Sequence, residues 1–493
     1  MRIYTLYAKP AVLYLIISML YLQNVTAQTT VLFGTTAYGG TYNRGAIISF
    51  NPTSNSERVV YNFSGNPSDG AYPYSNLVYY AGNSLFYGTT YEGGSNNLGS
   101  IFTFNPATGS ENMVWSFGTG TDGNSPYSNL VYDTTNGLFY GMTRLGGTDS
   151  VGVIYSFDPL SNTENVVWNF KKNTDGNKPH GSLIYDTNNK LYYGMTADGG
   201  KDNSGAIFSF NPSGNTESVV WSFGSGTDGT IPQGNLVYDA NNGLFYGMTY
   251  LGGSIGYGAI ISFDPVTNKD SVVWNFAAVT DDGFYPYGDL IYDTNNELFY
   301  GLTYGGGTLN HGAIISFDAA KNKDSVVWSF GQSNSFDGKS PEGNLVYNAN
   351  NGLFYGMTGL GGDNSEGAII SFNTSINRDS LLWSFGNGPD GYNPFGSLVT
   401  YTGPTGINTA GTSYTPITVY PNPNNGIFNI QLQNVKQNTQ LQIFNVLGER
   451  IYTGKLDSKT ASINLSNNTA GLYFYIVTDE NCNQIGNGKF ILE

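Results

Sequence analysis

Met113-Val-Trp-Ser-Phe117, Asn129-Leu-Val-Tyr-Asp133, Leu138-Phe-Tyr-Gly-Met-Thr143 and Val153-Ile-Tyr-Ser-Phe157 follow one another along the chain. Each is short and rich in aromatic and β-branched side chains. The turns between them carry signals such as Asn136-Gly137, and Asp158-Pro159 follows the last, so the stretch reads as four consecutive strands. The group then recurs. Gly34, Gly88, Gly141, Gly194, Gly247, Gly301 and Gly356 occupy equivalent aromatic-Gly-x-Thr segments spaced 53 to 55 residues apart. An Asp-Gly pair keeps the same phase at Asp69, Asp122, Asp175, Asp228, Asp282, Asp337 and Asp390, with a proline three or four residues on in every copy.

Four antiparallel strands in each of seven units predict an all-β body, a seven-bladed β-propeller of four-stranded blades. With the strands named a to d, the first copy begins at strand b (Val31 to Thr36) and the last ends on strand a (Gly396 to Tyr401). Strand closure between these N- and C-terminal repeats would leave no bare sheet edge at the joint, which favours a ring over an open solenoid. The repeat resembles the bacterial tandem repeats called GloVer over residues 31–401. That resemblance implies no established activity.

The ends of the chain read differently. Residues 1–27 carry Arg2 and Lys9, an apolar stretch from Ala11 to Leu22, and small residues at Val25-Thr26-Ala27, the pattern of a signal peptide. The apolar run is shorter than the ~20 residues a bilayer core requires, so no membrane span is expected after cleavage. Removing this leader takes two of the 20 basic residues and none of the 36 acidic ones, leaving 18 − 36 = −18. Such a surface repels phosphate backbones and argues against nucleic acid as a partner. The single cysteine, Cys482, has no partner for an internal disulfide, so stability must come from packing and backbone pairing.

Residues 28–401 are therefore assigned to the propeller, 402–415 to a linker, and 416–493 to a small Ig-like β-sandwich of about seven strands. The last segment resembles the type A sorting domain of the type IX secretion system. The resemblance is carried by Tyr420, Pro421, Asn422, Pro423 and Gly426, by Gly448, by Gly471 and Tyr473, and by Lys489 near the terminus. It implies export through the periplasm to the outer-membrane surface or the extracellular space, with the type IX machinery as partner.

Constant positions build scaffold, and variable positions on one face of a scaffold are where a ligand is read. In a four-stranded meander the b–c and d–a connections leave from the same edge, and here they are the long ones. Three places in them vary from copy to copy: the residue after the Thr of strand b, the residue before the next Gly, and the residue after the proline. Tyr74, Tyr91, Tyr127, Arg144, His180, Tyr250, Tyr287, Tyr304, His311 and Glu342 are the candidate binding residues of this face. Tyrosines suit a glycan or another surface polymer, because a ring stacks on apolar sugar faces while its hydroxyl bonds outward.

The leading expectation is thus a secreted or cell-surface binding or adhesion protein. A polysaccharide hydrolase or lyase is the alternative, and would need a pair of carboxylates; Glu92, Glu342 and Glu366 are the glutamates these loops offer. A passive structural protein is the third. No catalytic residue is assigned. The six tryptophans, all at one place in strand d, read as packing between blades. The Asp-Gly pairs read as Asx-type turns with glycine at positive φ; no cofactor is expected, with calcium at Asp281-Asp282 the exception left open. His180 and His311 lack the further ligands a metal site requires.

Overall fold

A computed structural model describes residues 30–172, 174–224, 226–331, 337–386, 390–402, 417–420, 424–432, 439–445, 450–456, 458–478 and 484–492. The expected signal peptide and linker lie outside these, apart from Thr402. The chain divides into two compact units, 1–407 and 408–493.

The first unit is all β, and its succession of small sheets is propeller-like. Its main sheets follow one order. Val78–Tyr80, Leu85–Thr90, Ser100–Asn105 and Ser110–Ser116 pair antiparallel in sequence order a-b-c-d, and the same order recurs through the later repeats. In the remaining sheet, strand a is Val399–Tyr401 from the far end of the repeats. It pairs with Val31–Thr36, through Val31 opposite Tyr401 and Phe33 opposite Val399.

Burial explains why the sheets stack. Strand c, as in Ala46–Asn51, is buried at all but its last residue, so both of its faces are covered. Apolar side chains of one sheet meet those of the next in a separate cluster at every interface. One such cluster joins Leu32, Ile48 and Phe50 to Tyr355, Met357 and Ile369 of the last repeat. Each strand d is followed by a phenylalanine with no exposure, from Phe63 to Phe385. Burying such a ring contributes about 1.5–3 kcal/mol. The tryptophan two residues earlier, replaced by Tyr61 in the first copy, is only half-buried. It packs against the rim of the cluster, and in two copies its Nε1–H donates to the Asp-Gly aspartate: Trp168 to Asp175 at 3.2 Å and Trp221 to Asp228 at 3.0 Å.

The two long loops of each repeat are locked together. The Asp-Gly glycine pairs with the first glycine of the Gly-Gly in the following b–c loop, as Gly70 with Gly93, Gly123 with Gly146 and Gly229 with Gly252. The reading of that glycine as a positive-φ residue needs correction: only Gly338 of the seven is left-handed. Glycine is required for space, because a Cβ at Gly70, Gly123, Gly176 or Gly391 would drive into the Thr side chain that ends strand b.

The left-handed residue is instead the one before each proline. Tyr72, Ser125, Lys178, Ile231, Tyr285, Ser340 and Asn393 all have φ between 48° and 57°. Each donates its N–H to a b–c loop carbonyl, such as Tyr72 to Arg44 at 2.8 Å and Ser340 to His311 at 2.8 Å. This conformation costs a non-glycine residue about 1–2 kcal/mol, and a β-branched side chain fits it least well.

Among the described residues the second unit holds seven strands in two sheets. Ile417–Tyr420, Ile427–Leu432 and Thr460–Asn464 form one; Arg450–Leu456, Thr439–Phe444, Gly471–Thr478 and Gln484–Leu492 form the other. Phe428, Ile430, Leu441, Ile443, Val477 and Phe490 share one core. Gly426 has φ 95°, with the Ser466 backbone against the place a Cβ would take. The Tyr473 hydroxyl donates to the Thr469 carbonyl at 2.5 Å, and its ring stacks on Phe490. Tyr420 and Lys489 are exposed. Pro421, Asn422, Pro423 and Gly448 lie outside the described residues.

Two substitutions test this account by denaturant unfolding. Ile231→Asn, which accepts the left-handed conformation, is expected to stabilise by about 1 kcal/mol. Gly123→Ala is expected to destabilise by roughly 1–3 kcal/mol through overpacking against Thr143. Opposite signs would show the loop ladder to be misread.

Candidate functional site

Every d–a loop ends in a four-residue run that begins at its proline: Pro73-Tyr-Ser-Asn76 in the first copy, Pro179-His-Gly-Ser182 in the third, Pro286-Tyr-Gly-Asp289 in the fifth. The last residue of the run makes one contact in all seven repeats. The Asn76 N–H donates to Asn129 Oδ1 at 2.6 Å, and Asn129 donates to Ser182 Oγ at 3.0 Å. Ser182 donates to Asn235 Oδ1, Asn235 to Asp289 Oδ1 at 2.6 Å, and Asp289 to Asn344 Oδ1 at 2.5 Å. Asn344 donates to Ser397 Oγ at 2.8 Å, and Ser397 returns to Asn76 Oδ1 at 2.6 Å. The seven bonds thus end on the residue where they began. In the five copies with glycine one residue earlier, a Cβ would press on the next loop; at Gly181 it would strike the Gly234 carbonyl.

Directly after the prolines stand Tyr74, Tyr127, His180, Gln233, Tyr287, Glu342 and Phe395. All seven are half-buried, and together with the hydrogen-bonded ring they line a single cavity of about 70 Å³. That volume admits a handful of water molecules. Tyr74 stacks on Tyr127 at 5.0 Å and meets Phe395 edge-on, while Tyr127 lies 4.1 Å from the His180 ring.

The residues after the strand-b Thr pack onto this set. Tyr91 sits edge-on to Tyr74 and Tyr127; Tyr250 and Tyr304 flank Tyr287 at 4.7 and 5.5 Å. Tyr74, Tyr91 and Tyr127 therefore form one aromatic group, and Tyr250, Tyr287 and Tyr304 another. Arg144 acts on Tyr127 and His180 by its charge. Burial, with that charge beside it, lowers His180 to about 3, so its imidazole is neutral at physiological pH. Burial raises Glu342 to about 7, and its Oε2 is buried without a hydrogen bond. Below it, Asp289 is raised by burial to about 6, against donors from the Asn235 backbone and from the Asn235 and Asn344 amides.

His311 is placed elsewhere: its side chain packs at Gly331, and it does not line the cavity that holds His180. Glu366 packs in the same way on Gly386, and Glu92 lies 3.8 Å from Arg44, so of the three loop glutamates only Glu342 reaches the cavity. Among the described residues no group of three or more His, Cys, Asp or Glu side chains converges as a metal site. Gln233 and Phe395, which belong to the same variable series after the prolines, join the candidate residues, and the Asn/Ser/Asp ring is an addition to the site read from sequence. A polar residue at a fixed place two positions after each variable one was the signal for the ring.

The family described as the Gloeobacter/Verrucomicrobia repeat matches residues 19–192 and again 191–420. The chain belongs to the Gloeobacter/Verrucomicrobia repeat family. Its C-terminal residues 418–493 match the secretion system C-terminal sorting domain, so this repeat protein is exported to the cell surface or the extracellular space. Among the described residues no helix is long and apolar enough to cross a membrane. No curated protein matches the chain. Among solved structures, a candidate 6-phosphogluconolactonase from Bacteroides fragilis aligns with a TM-score of 0.51 at 13% identity, over 77% of this chain and 99% of its own. PorZ, a surface component of the type IX secretion system of Porphyromonas gingivalis, aligns with a TM-score of 0.43 at 13% identity, over 94% of this chain and 58% of its own. The first likeness is one of fold.

Away from the cavity, the repeats of this family member share one more feature. An acid in each strand d faces the Asp-Gly aspartate of the repeat before: Glu111 faces Asp69, Glu164 Asp122, Glu217 Asp175, Asp270 Asp228, Asp324 Asp282 and Asp379 Asp337, while Glu57 of the first copy faces Asp390 of the last. Burial, reinforced by the facing carboxylate, raises Glu57, Glu111, Glu164 and Glu217 from 4.5 to about 8. Between those two values the folded chain holds protons that the unfolded chain has released. This contribution to stability is therefore whole below about pH 4.5 and is lost as the pH rises through about 8. Thermal unfolding between pH 5 and 9 is expected to show a falling midpoint, with Glu111→Gln flattening the slope; a slope that the substitution leaves unchanged would contradict the pairing.

Proposed function

We propose that this chain is a binding module displayed outside the cell, and that its body is a seven-bladed β-propeller closed between its first and last repeats. The closure is supported by three contacts that each link the seventh repeat to the first: strand pairing, an apolar cluster and the ring of hydrogen bonds. The ligand surface is the mouth of the cavity that this ring floors.

One observation carries the reading. A single scaffold position, repeated seven times, presents Tyr, Tyr, His, Gln, Tyr, Glu and Phe to the same cavity. A purely structural position would keep one kind of side chain, as the ring beneath keeps short polar residues with an acceptor oxygen. Ligand pockets that engulf a small molecule run to about 300–1,000 Å³, far above this one. The ligand is therefore a chain end, or a polymer lying across the mouth with one group inserted. A glycan fits, since Tyr127 and Tyr287 offer ring faces while Gln233, Glu342 and neutral His180 offer hydrogen bonds.

Hydrolysis is the second reading, favoured by Glu342 alone. A carboxyl near 7 is suited to general acid work, but the other carboxylate that lines the cavity, Asp289, is engaged by three amide donors.

Glycan-array binding by the full chain is expected to fall at least tenfold in Tyr127→Ala and Tyr287→Ala and to persist in Tyr42→Ala, whose ring is exposed and outside the cavity. Binding that survives both cavity substitutions would reject this surface. Glu342→Gln is expected to alter binding without abolishing any product release; loss of hydrolysis in that variant would establish the second reading instead.

A further inference from the structure

The acid pairs between repeats are not equivalent. In the first four, the strand-d residue is glutamate; in the last three it is aspartate, one methylene shorter. Beside Glu217 a cation is built in, because Lys171 acts on that carboxylate. Asp324 has no such neighbour among the residues that line its cleft. A cavity of about 560 Å³ opens there, with Asp281, Asp282, Asp324, Thr280, Thr308 and Ser329 among its lining and no basic residue. Asp324 is 4% exposed, and neither of its carboxylate oxygens has a well-formed hydrogen bond. Asp282, 5% exposed, accepts from the Gly283 and Ala278 N–H groups. Asp281 beside it stands on the exposed turn, the one place where an Asp-Gly pair is preceded by a second aspartate.

Two buried carboxylates facing one another cannot both remain charged without something positive between them. We propose that this cleft is a divalent cation site, with Ca²⁺ as the ion. Hard oxygen donors are what calcium selects, and the lining supplies carboxylates, hydroxyls and room for water, with neither sulfur nor imidazole. Asp282 and Asp324 carry the charge. Three carboxylates do not converge on one point, so hydroxyl oxygens and water complete the six to eight positions that calcium takes. Asp281, at the mouth, adds to the attraction. The site lies at the outer strand, separate from the cavity at the proline loops, and its occupant would tie two neighbouring sheets together.

The full chain, stripped with chelator, is titrated with Tb³⁺ under tryptophan excitation, Trp328 being part of the lining. Saturable luminescence that Ca²⁺ displaces is expected, together with a Ca²⁺-dependent rise in the unfolding midpoint. Asp324→Asn is expected to weaken binding tenfold or more. Asp281→Asn, which changes only an exposed turn, is expected to weaken it several-fold, and Glu217→Gln to leave it unchanged. A chain that shows neither luminescence nor a response to Ca²⁺ would overturn the site. So would binding that both aspartate substitutions leave intact, or an Asp324→Asn variant that gains stability while calcium affects neither protein, which is the behaviour of a pair sharing a proton.

Discussion

The backbone N–H of one residue in each repeat, bonded to the side-chain oxygen of its counterpart in the next, is the contact on which the site depends. A net hydrogen bond contributes only about 1 kcal/mol, so these seven do not hold the sheets together. The aromatic clusters between sheets do that. What the seven bonds fix is position: they bring seven d–a loops to a common centre and set the residue two places earlier, in every copy, at one cavity wall. Glycine beside the ring in five copies lets neighbouring backbones approach closely enough for the bonds to form.

Strain and pairing make those loops rigid. A left-handed residue before each proline turns the chain inward, and its N–H is tied to the neighbouring b–c loop. The proline's ring then lies where a Cβ on the glycine opening strand c would be, as Pro73 lies against Gly45. Seven non-glycine residues hold this conformation with their N–H groups tied to the facing loop. The side chain that follows is free to vary, since none of the contacts that place it involves its own atoms. A rigid mount with an interchangeable tip is what a recognition surface requires.

Charge is managed at the opposite end of the same loops. Each Asp-Gly aspartate is held by backbone N–H groups of its own loop and meets an acid from the next sheet. Burial pushes the strand-d acid of each of the seven pairs toward its neutral form, so these seven of the 36 acidic residues add less negative charge than their number suggests. The surface field is correspondingly weaker than the count of carboxylates implies.

The seven-fold period, the strand order, the complementary termini and the sorting domain were all legible in the residues, because each depends on local pattern: alternation, turn residues and motif spacing. The variable positions were legible too, by comparison of copies. Which of them share a cavity was not, and the three variable series look alike in sequence. The fold separates them, sending the residues after proline to the centre, packing those after Thr onto them, and turning His311 and Glu366 against a neighbouring loop glycine. The acid pairs were equally hidden, since their members come from successive repeats and meet only when one sheet stacks on the next. Sequence fixes what a strand is, through interactions between near neighbours; contacts between strands some 50 residues apart are decided by packing, and the site is made of those.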